Sequence, residues 1–350
     1  MADRDSARDP IADLRRIAFL LERGRESTYR VRAYRGAANA LEELGADEVA
    51  QRAADGTLIK VKGVGNSTAA AVLESLRGDE PAALTKLLQI EPEPLPPAVA
   101  ELRARLRGDC HSHSDWSDGG SPIREMAMAA RDLGHEYLVL TDHSPRLTVA
   151  NGLSADRLER QLDVVAEVND ELQPFRLLTG IEVDINEDGT LDQRPSLLAR
   201  LDVVVASVHS KLRMPSSEMT PRMVAAIANP HTDILGHCTG RLITGGRGTR
   251  PESEFDAELV FAACEAFGVA VEINSRPERL DPPNPLLQQA IDAGCVFSID
   301  TDAHAPGQLD WQPNGCEKAV ECGLDPQRIV NTRSLDDLLA WTADHSSASS

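Results

Sequence analysis

Several features are missing from this 350-residue chain, and each absence excludes something. No apolar run approaches the roughly 18 to 20 residues that a membrane helix needs. The N-terminal stretch 1–10 is charged and has no apolar core of the kind a secretion signal carries. The six cysteines show no CxxC spacing and no close pairs, so they read as reduced thiols of a cytoplasmic protein rather than a disulfide framework. A basic excess is also missing. The formal net charge is -20, which argues against a globally basic nucleic-acid binder.

The charge is distributed unevenly. Residues 1–90 carry 14 basic and 14 acidic side chains and the remainder 22 basic and 42 acidic, so the excess lies wholly in the second part. The length allows two domains, or one large barrel with a small companion. A Pro-rich acidic stretch at 91–97 favours extended structure and marks the boundary. The expected organisation is a helical domain at 1–90, a linker and lead-in helix at 91–107, a barrel at 108–343 and a disordered tail at 344–350.

In the first part, 11–23 and 29–44 have the spacing of amphipathic helices. A basic cluster of Arg23, Arg25, Arg30, Arg32 and Arg35, interleaved with Tyr29 and Tyr34, is either a solvated helix face or a phosphate-facing patch. Gly63 and Gly65 then permit a sharp hairpin before a helix that Asn66 or Ser67 can cap, and amides exposed there suit a phosphate. Arg30, Arg32, Lys60, Gly63, Gly65 and Ser67 are the candidate DNA contacts.

The second part alternates strands and helices, which is the mark of a parallel sheet. Seven segments qualify as strands, most of them apolar runs, and His, Asp or Glu stands at six of the seven ends. In a parallel barrel those ends are where an active site forms. His111 and His113, two apart on a strand, share one face, with Asp118 in the loop beyond. Imidazoles on one face with a carboxylate nearby suit a divalent cation.

Two resemblances sharpen this reading. Residues 10–88 resemble the N-terminal helical domain of family X DNA polymerases, through Tyr29-Arg30-Val31-Arg32-Ala33-Tyr34 and the helix-hairpin-helix Gly63-Val64-Gly65. Lys62 stands where proline is usual. Ala71 stands where lyase-competent members carry the imine-forming lysine, so lyase activity is not implied. Residues 108–340 resemble the PHP (polymerase and histidinol phosphatase) family through Asp109-Cys110-His111-Ser112-His113, Leu140-Thr141-Asp142-His143, Gly180-Ile181-Glu182, Ser207-Val208-His209, Gly236-His237-Cys238-Thr239-Gly240-Arg241 and Thr301-Asp302-Ala303-His304.

The second resemblance implies an α/β fold, a distorted seven-stranded barrel with a trinuclear centre of Zn, Mn or Fe. His111, His113, Glu182 and Asp302 would hold one cation, Glu182 with His209 and His237 a second, and Asp118, His143 and His304 a third. Asp142 would orient a ligand. Arg241 and Arg279 would hold a substrate phosphate, or else sit in structural ion pairs. His231 is expected to be structural, and His135 and His345 to face solvent.

Such a centre hydrolyses phosphate esters with a metal-bound hydroxide, so no side-chain nucleophile is required. Three functions follow: a phosphoesterase on DNA ends (3′-5′ exonuclease or 3′-end processing), a small-molecule phosphatase of the histidinol-phosphatase type, or a non-catalytic DNA-binding repair scaffold. The expected partners are DNA, through the helical domain, or a small phosphate ester, with no membrane. A monomer is favoured.

Overall fold

The computed structural model describes residues 8–90, 93–246 and 248–347. Glu91 and Pro92 of the proposed linker lie outside the described residues. The chain divides into two compact units, Met1–Pro94 and Leu95–Ser350.

The first unit is all helical: α1 (Pro10–Arg23), α2 (Thr28–Leu44), α3 (Ala46–Ala54), α4 (Asn66–Leu76) and α5 (Ala82–Leu88). Asp9 starts α1 by accepting from Ile11 N, and Pro10 occupies the first turn, where a missing N–H costs nothing. Leu14, Ile17 and Leu21 of α1, Leu41 of α2 and Val72 of α4 are fully buried and form the core of this unit. Between α3 and α4 a 3-10 turn at Leu58–Lys60 leads into the hairpin. Gly63 has φ +94, and a Cβ there would lie 3.3 Å from Gly36 O of α2, so both the turn and the close approach call for glycine. The cap of α4 differs from expectation. Neither Asn66 nor Ser67 provides it; the N-cap is Gly65, whose N–H is accepted by Thr68 Oγ1 at 2.9 Å.

The second unit opens with α6 (Pro97–Arg105), whose Val99 and Leu102 join the main apolar core. Seven parallel strands follow in spatial order β1 to β7: β1 (Gly108–Ser112), β2 (Tyr137–Leu140), β3 (Arg176–Asp184), β4 (Val203–Ser207), β5 (Ile234–Leu235), β6 (Ala270–Asn274) and β7 (Phe297–Asp300). The crossovers carry α7 (Ile123–Asp132), α8 (Ala155–Leu172), α9 (Pro195–Leu198), α10 (Ser216–Ile227), α11 (Ala257–Phe267) and α12 (Asn284–Asp292); α13 (Gln312–Glu321) and α14 (Leu335–Ser347) end the chain. The strands are largely buried on both faces, and β2, β4 and β5 read as runs rich in Val, Ile and Leu, as a helix-covered parallel sheet requires.

β1 and β7 close the barrel almost completely. Side chains stitch this seam: Cys110 N donates to Asp300 Oδ1 (2.7 Å) and Thr301 N to Asp109 Oδ2 (3.1 Å). Asn331 Nδ2 donates to Asp300 Oδ1 and Ile299 O, and Gln312 Nε2 to Gly108 O and Ile299 O. Buried amides without a strand partner would otherwise go unpaired.

Two expectations are corrected here. The segment from 344 onward, expected to be disordered, is helical through Ser347, because α14 docks Leu338 into the core; residues 348–350 lie outside the described residues. His135 does not face solvent. It is 4% exposed and accepts from Arg103 Nη2 of α6 at 2.9 Å. The side chain of His345 lies outside the described residues, and His231 is half-buried. No helix among the described residues is long and apolar enough to cross a membrane, and the six cysteines are free thiols.

Candidate metal centre

The strand ends converge on Glu182, near the end of β3 and fully buried. Its Oε2 lies 2.8 Å from His143 Nδ1, 3.4 Å from His111 Nε2 and 3.7 Å from His113 Nε2. Its Oε1 lies 2.9 Å from His237 Nε2 and 3.2 Å from His209 Nε2. The five imidazoles come from four strand ends, those of β1, β2, β4 and β5. His111 and His113 share a face of β1 because Ser112 between them points away, donating to Val139 O. His143, His209 and His237 each follow their strand by two or three residues. Toward the rim, His113 Nε2 is 3.4 Å from Asp302 Oδ1, and Asp118 Oδ1 is 3.3 Å from His304 Nε2 and 3.5 Å from His143 Nε2.

These side chains fall into overlapping groups with donor atoms within 4.8 Å of one another: His113, Asp118, His143 and His304; His111, His113 and Asp302; His143, Glu182 and His209. The grouping differs in detail from the resemblance, since His113 and His143 each serve two groups and His237 approaches Glu182 without joining one. The residues fit divalent cations on a direct test. His111 Nε2, both nitrogens of His113 and His209, His143 Nδ1 and both oxygens of Glu182 are buried and make no hydrogen bond. Buried polar atoms are ordinarily paired, so a cluster of unpaired lone pairs points to a missing common partner. The donors are nitrogen and oxygen with no thiolate, which suits zinc, manganese or iron.

The electrostatics are those of a site that keeps its carboxylates ionised. Burial pushes the Glu182 carboxyl upward, but the imidazoles of His209, His111 and His143 outweigh it and hold it well below the usual range. Asp302 is likewise held low against burial by His113 and Arg279. Burial, with His304 and His143 adding, pushes His113 down to about 3, so its ring is neutral and its lone pair available. His209 is lifted to about 9, because Glu182 and Asp184 outweigh the downward pull of burial.

The other proposed residues sort by what they touch. Asp142 accepts from Ser114 N, Ser114 Oγ, Ser117 Oγ and Gln161 Nε2 at 2.5–2.8 Å, so it clamps the turn that carries Asp118. Arg241 uses Nε and Nη2 on the carbonyls of Arg279 and Leu280 and Nη1 on Glu252. Its guanidinium is therefore committed to backbone rather than open to a phosphate, and it braces Leu280, held at φ 45. Arg279 Nε donates to Asp302 Oδ2 at 3.1 Å, while its Nη1 is buried without a partner.

Sequence reasoning did not select three residues that this geometry brings in. Arg276 Nη1 donates to Asp302 O at 3.0 Å and lies 3.1 Å from His304 Nδ1. Asp184 accepts from His209 N at 3.1 Å. Glu272 lies 2.6 Å from His111 Nδ1. Only Glu272 left a signal, as a carboxylate inside the apolar run of β6.

In the helical unit Arg30, Arg32, Lys60, Gly63, Gly65 and Ser67 are all exposed. Arg35 leaves the proposed basic patch, because it is buried in a two-point ion pair with Glu22, both contacts at 2.6 Å. Tyr34 is buried too, whereas Tyr29 is 81% exposed.

Comparison with known proteins agrees with both parts of this description. The helix-hairpin-helix domain model matches residues 7–80 and the PHP domain model residues 109–276. The DNA polymerase/3′-5′ exonuclease PolX of Bacillus subtilis (strain 168) is 40% identical over 237 residues, which is 68% of this chain and 41% of that protein. The chain thus spans about two fifths of that relative's length. A "Probable phosphatase" of Thermoanaerobacter sp. (strain X514) is 28% identical over 235 residues, 64% of this chain and 89% of that one. The crystal structure of histidinol phosphate phosphatase from Lactococcus lactis, complexed with zinc, L-histidinol and phosphate, aligns with a TM-score of 0.44 at 17% identity, covering 63% of this chain and 94% of that chain. This chain therefore joins a helix-hairpin-helix domain to a PHP domain.

Proposed function

We propose that the barrel hydrolyses phosphate esters with divalent cations bound at the C-terminal ends of its strands, and that the whole chain acts on DNA ends as a 3′-5′ exonuclease or 3′-end-processing phosphoesterase. The observation that carries this reading is Glu182, a fully buried carboxylate set against five imidazoles with neither oxygen hydrogen-bonded. Three cations, zinc, manganese or iron, would be held by His111, His113, Glu182 and Asp302; by Glu182, His209 and His237; and by Asp118, His143 and His304. Bound there, they supply the Lewis acidity that acidifies water and draws charge from phosphoryl oxygens.

The protein's own residues do the rest. Arg279 presents an unpaired Nη1 beside Asp302, a fixed cation for a phosphoryl oxygen that costs no reorganisation. Arg276 holds the carbonyl of Asp302, and Arg241 holds that of Arg279 itself. Asp142 keeps the Asp118 turn in place. The acidic excess lies outside residues 1–90, so attraction to a DNA backbone falls to the helical unit with its exposed Arg30, Arg32 and Lys60. The similarity to the Bacillus subtilis DNA polymerase/3′-5′ exonuclease PolX supports an exonuclease.

A second reading, a small-molecule phosphatase, has its own support. The phosphatase match spans 235 residues, more than the helical unit contains, and covers 89% of that protein.

Metal-dependent turnover of single-stranded DNA and of a small phosphomonoester, by the full chain and by Leu95–Ser350, separates the two. Truncation is expected to lower kcat/KM on DNA and to leave the small ester unchanged, because the linked helical unit raises the local concentration of the strand. Equal DNA cleavage by both forms would remove DNA as the substrate delivered by the helical unit.

A further inference from the structure

Glu272 occupies the middle of β6, fully buried between Val271 and Ile273. Its Oε1 is 2.6 Å from His111 Nδ1. Its Oε2 accepts from the main-chain N–H of His237 at 2.5 Å and from Asn274 Nδ2 at 3.3 Å. The same Asn274 Nδ2 lies 3.4 Å from Asp302 Oδ2. One carboxylate on β6 therefore touches a side chain from β1 and the backbone that follows β5.

The choice of ring nitrogen matters. An ionised carboxylate can only accept, so the hydrogen in the short contact sits on His111 Nδ1. A neutral imidazole protonated at Nδ1 presents a bare lone pair at Nε2, and His111 Nε2 is the atom that faces Glu182 Oε2 at 3.4 Å without a hydrogen bond. In the other tautomer the hydrogen would lie on Nε2 and point at Glu182. It would satisfy that carboxylate and block the lone pair together. The ring alone has no strong preference between the two forms; the hydrogen bond made by the far nitrogen sets it.

We propose that Glu272 is a positioning residue, which fixes the Nδ1–H tautomer and ring orientation of His111 and, through the amide of His237, holds two ligand-bearing strand ends in register. This rests on the metal-centre reading above. It assigns Glu272 no contact with substrate or cation. Loss of a partner of this kind costs about 10- to 100-fold in metal affinity.

The test uses the full chain, zinc as the probe, and Glu272→Gln, which keeps the size of the side chain but puts a donor on one of its two ends. Three quantities are read: zinc affinity by chelator competition, the position of the His111 ring hydrogen by NMR of the zinc-loaded chain labelled with 15N-histidine, and the melting temperature of the metal-free chain. In the wild type the hydrogen is expected on Nδ1, protected from exchange with solvent. In the variant, zinc affinity should fall about 10- to 100-fold and the Nδ1–H signal should shift or vanish, while the metal-free chain still melts cooperatively. A wild-type chain with the His111 hydrogen on Nε2 overturns the proposal, and that measurement does not depend on the variant folding. A variant that binds zinc as tightly as wild type overturns it too, leaving the metal centre standing. A wild-type chain that takes up no zinc overturns the metal-centre reading and this inference with it.

Discussion

In the helical unit the two carboxylates buried among the described residues each meet a partner. Glu22 is gripped by Arg35, and Asp13 receives Arg8 and the hydroxyl of Ser75. In the barrel, Glu182 is buried just as deeply, and both its oxygens make no hydrogen bond. Buried charge that meets its partner within the chain helps define the fold, and no binding capacity is left over. Buried charge without one costs several kcal/mol unless something else arrives to share it. The helical unit must then do its work at its exposed surface, and the barrel must do it inside.

The largest test of that contrast is Glu182→Gln. Removing the shared carboxylate should lower zinc or manganese content by elemental analysis and cut ester hydrolysis roughly 1,000-fold or more, the several kcal/mol that metal Lewis acidity supplies. DNA affinity of the full chain in a gel-shift assay should stay as it was. Full activity in this variant would remove Glu182 from the centre.

Next in size is Arg35→Leu. It removes the guanidinium that grips Glu22 in the helical core, and breaking a buried pair from one side costs about 3–5 kcal/mol. Denaturant unfolding should show the helical unit melting early, with turnover of a small ester by the barrel unchanged. Wild-type stability would mean that the pair is not what holds α1 to α2.

A smaller effect lies at His135, an imidazole buried away from the metal centre. Burial, with Arg103 adding, pushes it down to about 3 from its ordinary 6.5. The folded chain thus keeps it neutral, while the unfolded chain takes a proton once the pH drops below about 6.5. Stability is full above that pH and is lost as the pH falls toward 3, by about 1.4 kcal/mol at about pH 5.5. His135→Gln, which can still accept from Arg103, should flatten this acid-side slope. An unchanged difference in melting temperature between neutral pH and pH 5.5 would show that the ring is hydrated in the folded state.

The smallest effect belongs to the surface. Arg30→Ala with Arg32→Ala, made in the non-cleaving Glu182→Gln chain, should weaken DNA binding a few-fold and reduce the slope of affinity against salt by roughly one to two, because each phosphate contact releases counterions. An identical slope would place the DNA-facing surface elsewhere on the unit.

The sequence by itself determined the fold class, a helical domain before a seven-stranded parallel barrel, and the polar residues that stand where the strands stop. The physical reason is local. A strand buried on both faces must be an apolar run, so a His, Asp or Glu where such a run stops stands out against it, as His143, His209 and His237 do. The hairpin was legible for the same kind of reason, since Gly63 answers a constraint within its own turn. Tertiary structure alone decided which polar residues are partners. Arg35 looks like its exposed neighbours until Glu22, thirteen residues earlier, is packed against it. Arg241 reads equally as a phosphate ligand or a structural partner until the carbonyls of residues 279 and 280 occupy its guanidinium. His135 met Arg103 of α6, 32 residues earlier, only in the folded chain, and Glu272 found His111, 161 residues away, only when the barrel closed. Whether a charge is free or committed depends on groups that the chain brings together last, and no pattern along the sequence carries that information.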